Sequence, residues 1–550
     1  MRHVLCCLFF CMAGIAFADV SPLGGQEPAP VIPSPATSSN TAVQQSNEHS
    51  AALTPMEEAT QLYRMGKFDE AIAQYDAIIG NRPNQAVAYA GLARCYLKLK
   101  KPDDAYLAAT KAVAQDPSLG AAHSALGEVS FRQGKLQEAE ADFLAALKVD
   151  PADARSYLGL ARLDQATYNF KKAKVSLDKA YGLDPADPDI SGAWVQTRSR
   201  SEQIKALEDD IASPSNYYSR VEKAGFKQRL SILTDEVAHP ERTCTVASQP
   251  ESAEMRLTRI GKRDFAGLDV QVNGEAARLV LGTVSSGIVI NGRIAEKAGV
   301  KPIAQADIDG LGEQNPPEVY IGLAKSLQVG PLDFHNCYVT VVERASPRSF
   351  YDQFEGSIAA GLFYSYLVDV DVPHAKLKLR PLPSGPATED HESAAMDSSD
   401  PGARNFYDRY TPSQMSTWTR MDRFGSAIVV PARVNDSPPE LFEIEAASKF
   451  NVLAPELARE RASLKPDKAS AHLEGSDGKV SGETTGQVNL EFADLHFNAI
   501  NVISFDNARV SESAETEISG YLGFDLLRNL HFIIDYRDGL VHFENSPSPE

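Results

Sequence analysis

The 550-residue chain has little cysteine, and three of its six cysteines fall among the first eleven residues. Beyond Phe17 no stretch approaches the roughly 18 continuous apolar residues that a membrane-spanning helix needs, so no span is expected. Positive charge is also short, with 54 Lys and Arg against 74 Asp and Glu and a formal net charge of -20. That balance excludes a nucleic-acid or anionic-membrane surface, because both require a basic face. There is no His-Glu-x-x-His, no Cys-x-x-Cys and no phosphate-binding loop, so no metal, nucleotide or other cofactor is expected. His335, His496, His531 and His542 fall on expected strands at no ligand spacing and read as strand-face or surface residues. Ser285 and Ser286 lack the Gly-x-Ser-x-Gly setting of a serine nucleophile.

What is present begins with Arg2 and His3, an apolar run from Val4 to Phe17, and Ala16-Phe17-Ala18. This reads as a signal peptide over 1–18, cleaved after Ala18, which implies a periplasmic or secreted protein. Residues 19–54, rich in Pro, Ser, Ala, Thr and Gln, bury too little apolar surface to fold and read as a disordered tether. Of the remaining cysteines, Cys95 lies on an apolar helical face. Cys244 and Cys337 are the disulfide candidates in an oxidising compartment; two buried free thiols are the alternative.

From residue 55 a period appears. Pro83, Pro117, Pro151 and Pro185 are 34 residues apart, as are Ala71, Ala105, Ala139 and Ala173. Ala59, Ala93, Gly127 and Ala161 keep a small residue where two helices must approach, and each proline ends a second helix because it has no amide to donate. Gly66 and Gly134 mark the turn between helices, replaced by Lys100 and Tyr168 in the other units. The pattern resembles tetratricopeptide repeats: four units and a polar capping helix, Ile190 to Ile211, over 55–212, followed by a connecting segment, 213–250. The resemblance implies an all-α superhelix whose groove takes a protein or an extended peptide. A rigid spacer is the alternative.

The second half carries one pattern twice. LVLGTVSSGIVI (279–290) is followed by a short helix, and LFEIEAASKFNVL (441–453) by another. Each copy leads later to a glycine-bearing strand and a final hairpin, EGSIAAGLFYSYLVDVDVPHAKLKLRPLP (355–383) and ISGYLGFDLLRNLHFIIDYRDGLVHFE (518–544). These blocks resemble the retropepsin-like aspartic proteases, which implies two all-β lobes, 251–383 and 421–546, joined by an acidic linker, 384–420. The fold class is therefore multidomain α + β. The alternation and the Asn273-Gly274 turn also fit an unrelated small β-barrel. In the family, two aspartates about 3 Å apart share one proton. Here Gly282 and Glu445 stand at those positions, with Thr283, Val284 and Ser285 completing one turn and Ala446, Ala447 and Ser448 the other. The resemblance thus implies a pseudoprotease with no catalytic residue at the dyad, whose work is protein binding. The alternatives are an aspartic endopeptidase using Glu445 and an unrecognised second carboxylate, or a structural scaffold. Asp369, Asp371 and Asp535 take structural places. The linker is long enough for the lobes to pack as an intrachain pseudo-dimer or to sit apart.

Overall fold

Thr54 opens the helical half: its hydroxyl caps the Glu57 amide while the Glu57 carboxylate returns to the Thr54 N–H, and Pro55 supplies a preset first turn. The computed structural model describes residues 5–6, 53–81, 85–242, 244–261, 264–283, 287–306, 318–344, 350–385, 408–462, 471–474 and 479–546. Apart from Leu5 and Cys6, residues 1–18 and nearly all of 19–54, expected to be a signal peptide and a tether, lie outside them, as do most of 384–420, the expected linker, and Val284 and Ser285.

Eight helices follow in pairs: α1 (Pro55–Arg64), α2 (Phe68–Asn81), α3 (Ala86–Lys98), α4 (Pro102–Gln115), α5 (Gly120–Arg132), α6 (Leu136–Val149), α7 (Ala154–Ala166) and α8 (Phe170–Leu183). Small residues let them approach. A Cβ at Gly91 would sit 2.3 Å from the Tyr75 ring, and one at Gly159 2.2 Å from that of Phe143. The 34-residue series of turns, Gly66, Lys100, Gly134 and Tyr168, all have positive φ, between 59° and 73°. For Lys100 and Tyr168 that conformation costs about 1–2 kcal/mol each.

The single capping helix expected over 190–211 is two helices, α9 (Pro188–Val195) and α10 (Arg200–Ala212). The break has a local cause, since Ser199 and Glu202 form their own capping box and start a new helix there. A further helix, α11 (Arg220–Ala238), occupies the segment expected to be a plain connector, opened by Ser219 and Glu222 in the same way.

In the β half, the strand Glu275–Gly282 lies between Phe265–Val272, antiparallel, and Gly356–Ala359, parallel. The strand Glu440–Glu445 lies between Ala427–Val434, antiparallel, and Gly520–Gly523, parallel. The registers correspond: Gly282 faces Ala359 and Glu445 faces Gly523. Asn273 and Gly274, both at positive φ, turn the first lobe's hairpin. Cys244 and Cys337 are joined by a disulfide with an S–S distance of 2.01 Å, which ties the segment after α11 to the long strand Leu332–Arg344. Cys95 is free and buried.

The two lobes share a six-stranded sheet in the order 419–420, 540–545, 530–535, 366–371, 376–381, 253–256. Its centre is the antiparallel pairing of Tyr366–Asp371 with Leu530–Asp535. Val368, Val370, Phe532 and Ile534 point to one apolar core that runs through both lobes. A second apolar cluster joins Phe131, Phe143 and Leu163 of the helices to Phe424, Leu441, Ile518 and Tyr521 of the second lobe. The helical array therefore does not stand apart from the β half.

Candidate functional site

The paired turns meet. A Cβ on Gly282 would lie 3.7 Å from the Ala447 Cβ and 3.8 Å from Glu445 Oε1. Thr283 bridges the lobes: its hydroxyl donates to the Ile444 carbonyl at 2.5 Å and accepts from the Ala446 N–H at 3.0 Å. The buried Tyr536 hydroxyl donates to the Thr283 carbonyl at 2.8 Å. Ser448 is fully buried, and its carbonyl accepts the Phe524 N–H at 2.6 Å. Gly523 has no room for a side chain, because a Cβ there would lie 2.1 Å from the Phe450 carbonyl oxygen. The structure thus brings together Gly282, Thr283, Glu445, Ala446, Ala447 and Ser448. Val284 and Ser285 lie outside the described residues.

Glu445 is 2% exposed and accepts the Ala447 N–H at 2.8 Å. Burial pushes its carboxyl up to about 7, against the pull of that hydrogen bond. Two residues earlier, on the same strand face, Glu443 is fully buried and neither of its oxygens has a hydrogen-bond partner. Burial and the neighbouring Glu445 charge hold Glu443 well above the carboxylate range. The sequence reading missed Glu443. The signal was there in ELFEIE, where a buried strand puts acids two residues apart, a spacing that stacks them on one face.

The array holds a second polar centre. Arg94 pairs with Glu128 at 2.9 Å, while Arg155 pairs with Glu128, Asp187 and Asp189 at 2.6–3.0 Å. Lys98 reaches Asp189 at 2.7 Å and lies 4.3 Å from the centre of the Tyr217 ring. Arg94, Lys98 and Arg155 are held in their charged form by these partners despite burial. Beside this network opens a cavity of about 370 Å³ lined by residues that include Tyr63, Arg64, Arg94, Asp153, Arg155 and Asp187. Arg64 in the first repeat pairs with Asp184 at the end of the fourth, so the superhelix closes across its own groove.

Comparison with known proteins fits both halves. Tetratricopeptide repeat families match residues 56–119 and 120–153, and an aspartyl protease family matches residues 268–357. The chain thus carries tetratricopeptide repeats over residues 56–153, within a helical half of that kind, and a match to the aspartyl protease family over residues 268–357. No curated protein matches the chain. Similar solved structures include TTC0263, a thermophilic tetratricopeptide protein of Thermus thermophilus, at 22% identity over 33% of this chain and 97% of that one, with a TM-score of 0.26. The Arabidopsis OM64 TPR domain is 25% identical over 20% and 90%, with a TM-score of 0.19. The second TPR domain of human RPAP3, solved in complex with an HSP70 peptide, is 28% identical over 20% and 91%, with a TM-score of 0.18.

Among the described residues no group of His, Cys, Asp and Glu is arranged to hold a metal ion, and no helix is long and apolar enough to cross a membrane. Three of the four strand histidines pair with acids: His531 with Asp369 and Glu544, His542 with Glu544, and His496 with Glu491. His335 lies 3.9 Å from Asp333. Asp535 accepts the N–H groups of Arg537 and Asp538 and shapes the last hairpin's turn.

Proposed function

We propose that the protein is a binding protein whose aspartyl-protease half does not cut: a pseudoprotease of the secreted or periplasmic, bacterial type, with a tetratricopeptide array for protein or peptide partners. The observation that carries this reading is the opposition of Gly282 to Glu445 across the lobe junction. Aspartic proteolysis polarises a water between two carboxylates that share a proton. Gly282 has no side chain with which to do either, and burial pushes the carboxyl of Glu445 opposite it up to about 7. In this reading the lobes work as an intrachain pseudo-dimer, with the shared six-stranded sheet and the Thr283 bridge as its supports. The compartment is proposed from the sequence of residues 1–18, whose apolar run from Val4 to Phe17 and Ala16-Phe17-Ala18 read as a signal peptide.

A peptide library incubated with the full chain at roughly pH 3–6, read for both cleavage and retention, tests the proposal. Retention without pepstatin-sensitive cleavage is expected. Inhibitable cleavage that disappears in Glu445→Gln overturns it. One observation favours that second reading, an endopeptidase: Glu443 places another carboxyl on the Glu445 strand face. Glu443→Gln abolishes cleavage in that case as well. A pure scaffold would neither retain nor cut.

A further inference from the structure

The four left-handed turns of the array form a row at one repeat spacing, and each touches something outside the repeats. Gly66 lies under Asn216 and Tyr217; Tyr168 packs its ring against Gly539 and its carbonyl accepts the Arg409 N–H at 2.8 Å. The middle two receive a single acidic stretch of the second lobe, Ser511–Glu517, of sequence SESAETE. Glu512 pairs with Lys100 at 2.5 Å, and Glu515 with Arg162 at 3.6 Å. The Thr516 hydroxyl donates to the Phe131 carbonyl at 2.7 Å, and the Glu517 N–H to the Arg132 carbonyl at 2.9 Å. Those carbonyls close α5, and that of Phe131 also accepts the Gly134 N–H at 3.0 Å within its own turn. Ala514 and Ile518 add apolar contacts in the cluster with Phe131 and Phe143. The stretch is the last turn of a short helix, Ala508–Ser513, and the left-handed turn at Glu515 that follows it, so an acidic helix end would sit here as a ligand: carboxylates on cations, a hydroxyl and one backbone N–H on the carbonyls that close α5, apolar residues beside them.

The seat has a second consequence. Leu441 lies 3.2 Å from a Cβ built on Gly134, and Leu441, Glu443 and Glu445 share one strand face by the two-residue period. The docked turn thus covers the Leu441 end of the strand face on which the two buried glutamates follow.

We infer that Ser511–Glu517 is an internal ligand of the array's turn edge, and that an outside protein presenting a similar acidic helix end competes for Lys100, Arg162 and the end of α5. When it wins, the array lifts from the second lobe and the Glu443–Glu445 face opens. This surface is distinct from the cavity beside Arg155, so it stands or falls independently of peptide binding there.

The test uses the full chain and hydrogen exchange of the strands 440–445 and 520–523. Reversing one side, Glu512→Lys with Glu515→Lys, is expected to raise their exchange by about tenfold or more, as local opening does, with α1 and α2 unchanged. Reversing the other side, Lys100→Glu with Arg162→Glu, should do the same, and the fourfold variant should restore protection. A synthetic SESAETEIS peptide added to unmodified protein should raise exchange in these strands with concentration, whereas the peptide with lysines for glutamates should not. Unchanged exchange in both reversed pairs, no recovery in the fourfold variant, or equal action of the two peptides overturns the inference. If a reversed pair fails to fold, the peptide titration on unmodified protein decides alone.

Discussion

Replacing Glu443 by leucine should stabilise the protein. Its side chain is fully buried with both oxygens unpartnered, and an unsatisfied buried polar group costs about 1–3 kcal/mol. Leucine fills a similar volume and removes that cost. At about 2–4 °C per kcal/mol for a domain of this size, the melting temperature of the β half should rise by roughly 2–12 °C. The gain should also depend on pH. Glu443 is held well above its ordinary value, so the folded chain keeps a proton that the unfolded chain gives up near 4.5. The native stability linked to it is complete below 4.5 and falls as pH rises, so the gain from Glu443→Leu is larger at pH 8 than at pH 4. Alongside Asp422, Asp535 and Glu517, which burial also raises, part of the residual decline belongs to Glu445. Its rise from 4.5 to about 7 corresponds to roughly 3 kcal/mol, lost between those pH values. Glu445→Gln on top of Glu443→Leu should make the decline shallower by that part. Thermal melting of the three proteins across this pH range is the assay. A lower melting temperature for Glu443→Leu at both ends of the range refutes the reasoning, because it would mean that Glu443 has a stabilising partner.

Thr283→Val removes both hydrogen bonds of the hydroxyl and leaves the buried Ala446 N–H without its acceptor, a loss of about 1–3 kcal/mol that faster exchange of the Ala446 amide should report. Arg155→Ala takes the cation from buried Asp187 and leaves Glu128 and Asp189 with one each, Arg94 and Lys98, and should cost about 3–5 kcal/mol in the array's melting; Arg155→Lys should recover only part, since an ammonium lacks the guanidinium fork. Reducing the Cys244–Cys337 bond, which spans 93 residues, should destabilise the first lobe by about 2–4 kcal/mol while the melting of α1–α8 stays put. Equal shifts in both halves would contradict that assignment.

The array was legible because its period repeats one local geometry, and the prolines and alanines that enforce it are spaced as the helices require. What the period could not show is what the array touches. Lys100 and Tyr168, which depart from the glycine pattern of the turns, are docking residues: one pairs with Glu512, and the other packs on Gly539. Both take the strained conformation in exchange for a contact beyond the repeats, and a repeat pattern carries no record of such contacts. Helix α11 was hidden for another reason, since Ser219 and Glu222 announce its start while its sequence shows no clear apolar stripe. Gly282, Thr283 and Glu445 were readable from the doubled motif. Glu443 was not, because the motif treats its position as apolar.

The shared sheet also sets an order of events during synthesis. Asp369 and His531, hydrogen-bonded at 2.8 Å across its central pairing, are 162 residues apart. At about 5–20 residues per second, the strand 366–371 emerges roughly 8–30 s before its partner exists. Through that interval it is an open edge with buried-type residues on one face, the kind of surface on which nascent chains pair with one another. Asp369 and Asp371 on the strand, and Lys376, Lys378 and Arg380 on its hairpin neighbour, put charge along the waiting edge. The same side chains that later settle at the lobe junction thus guard the half-made protein while its second half is still being built.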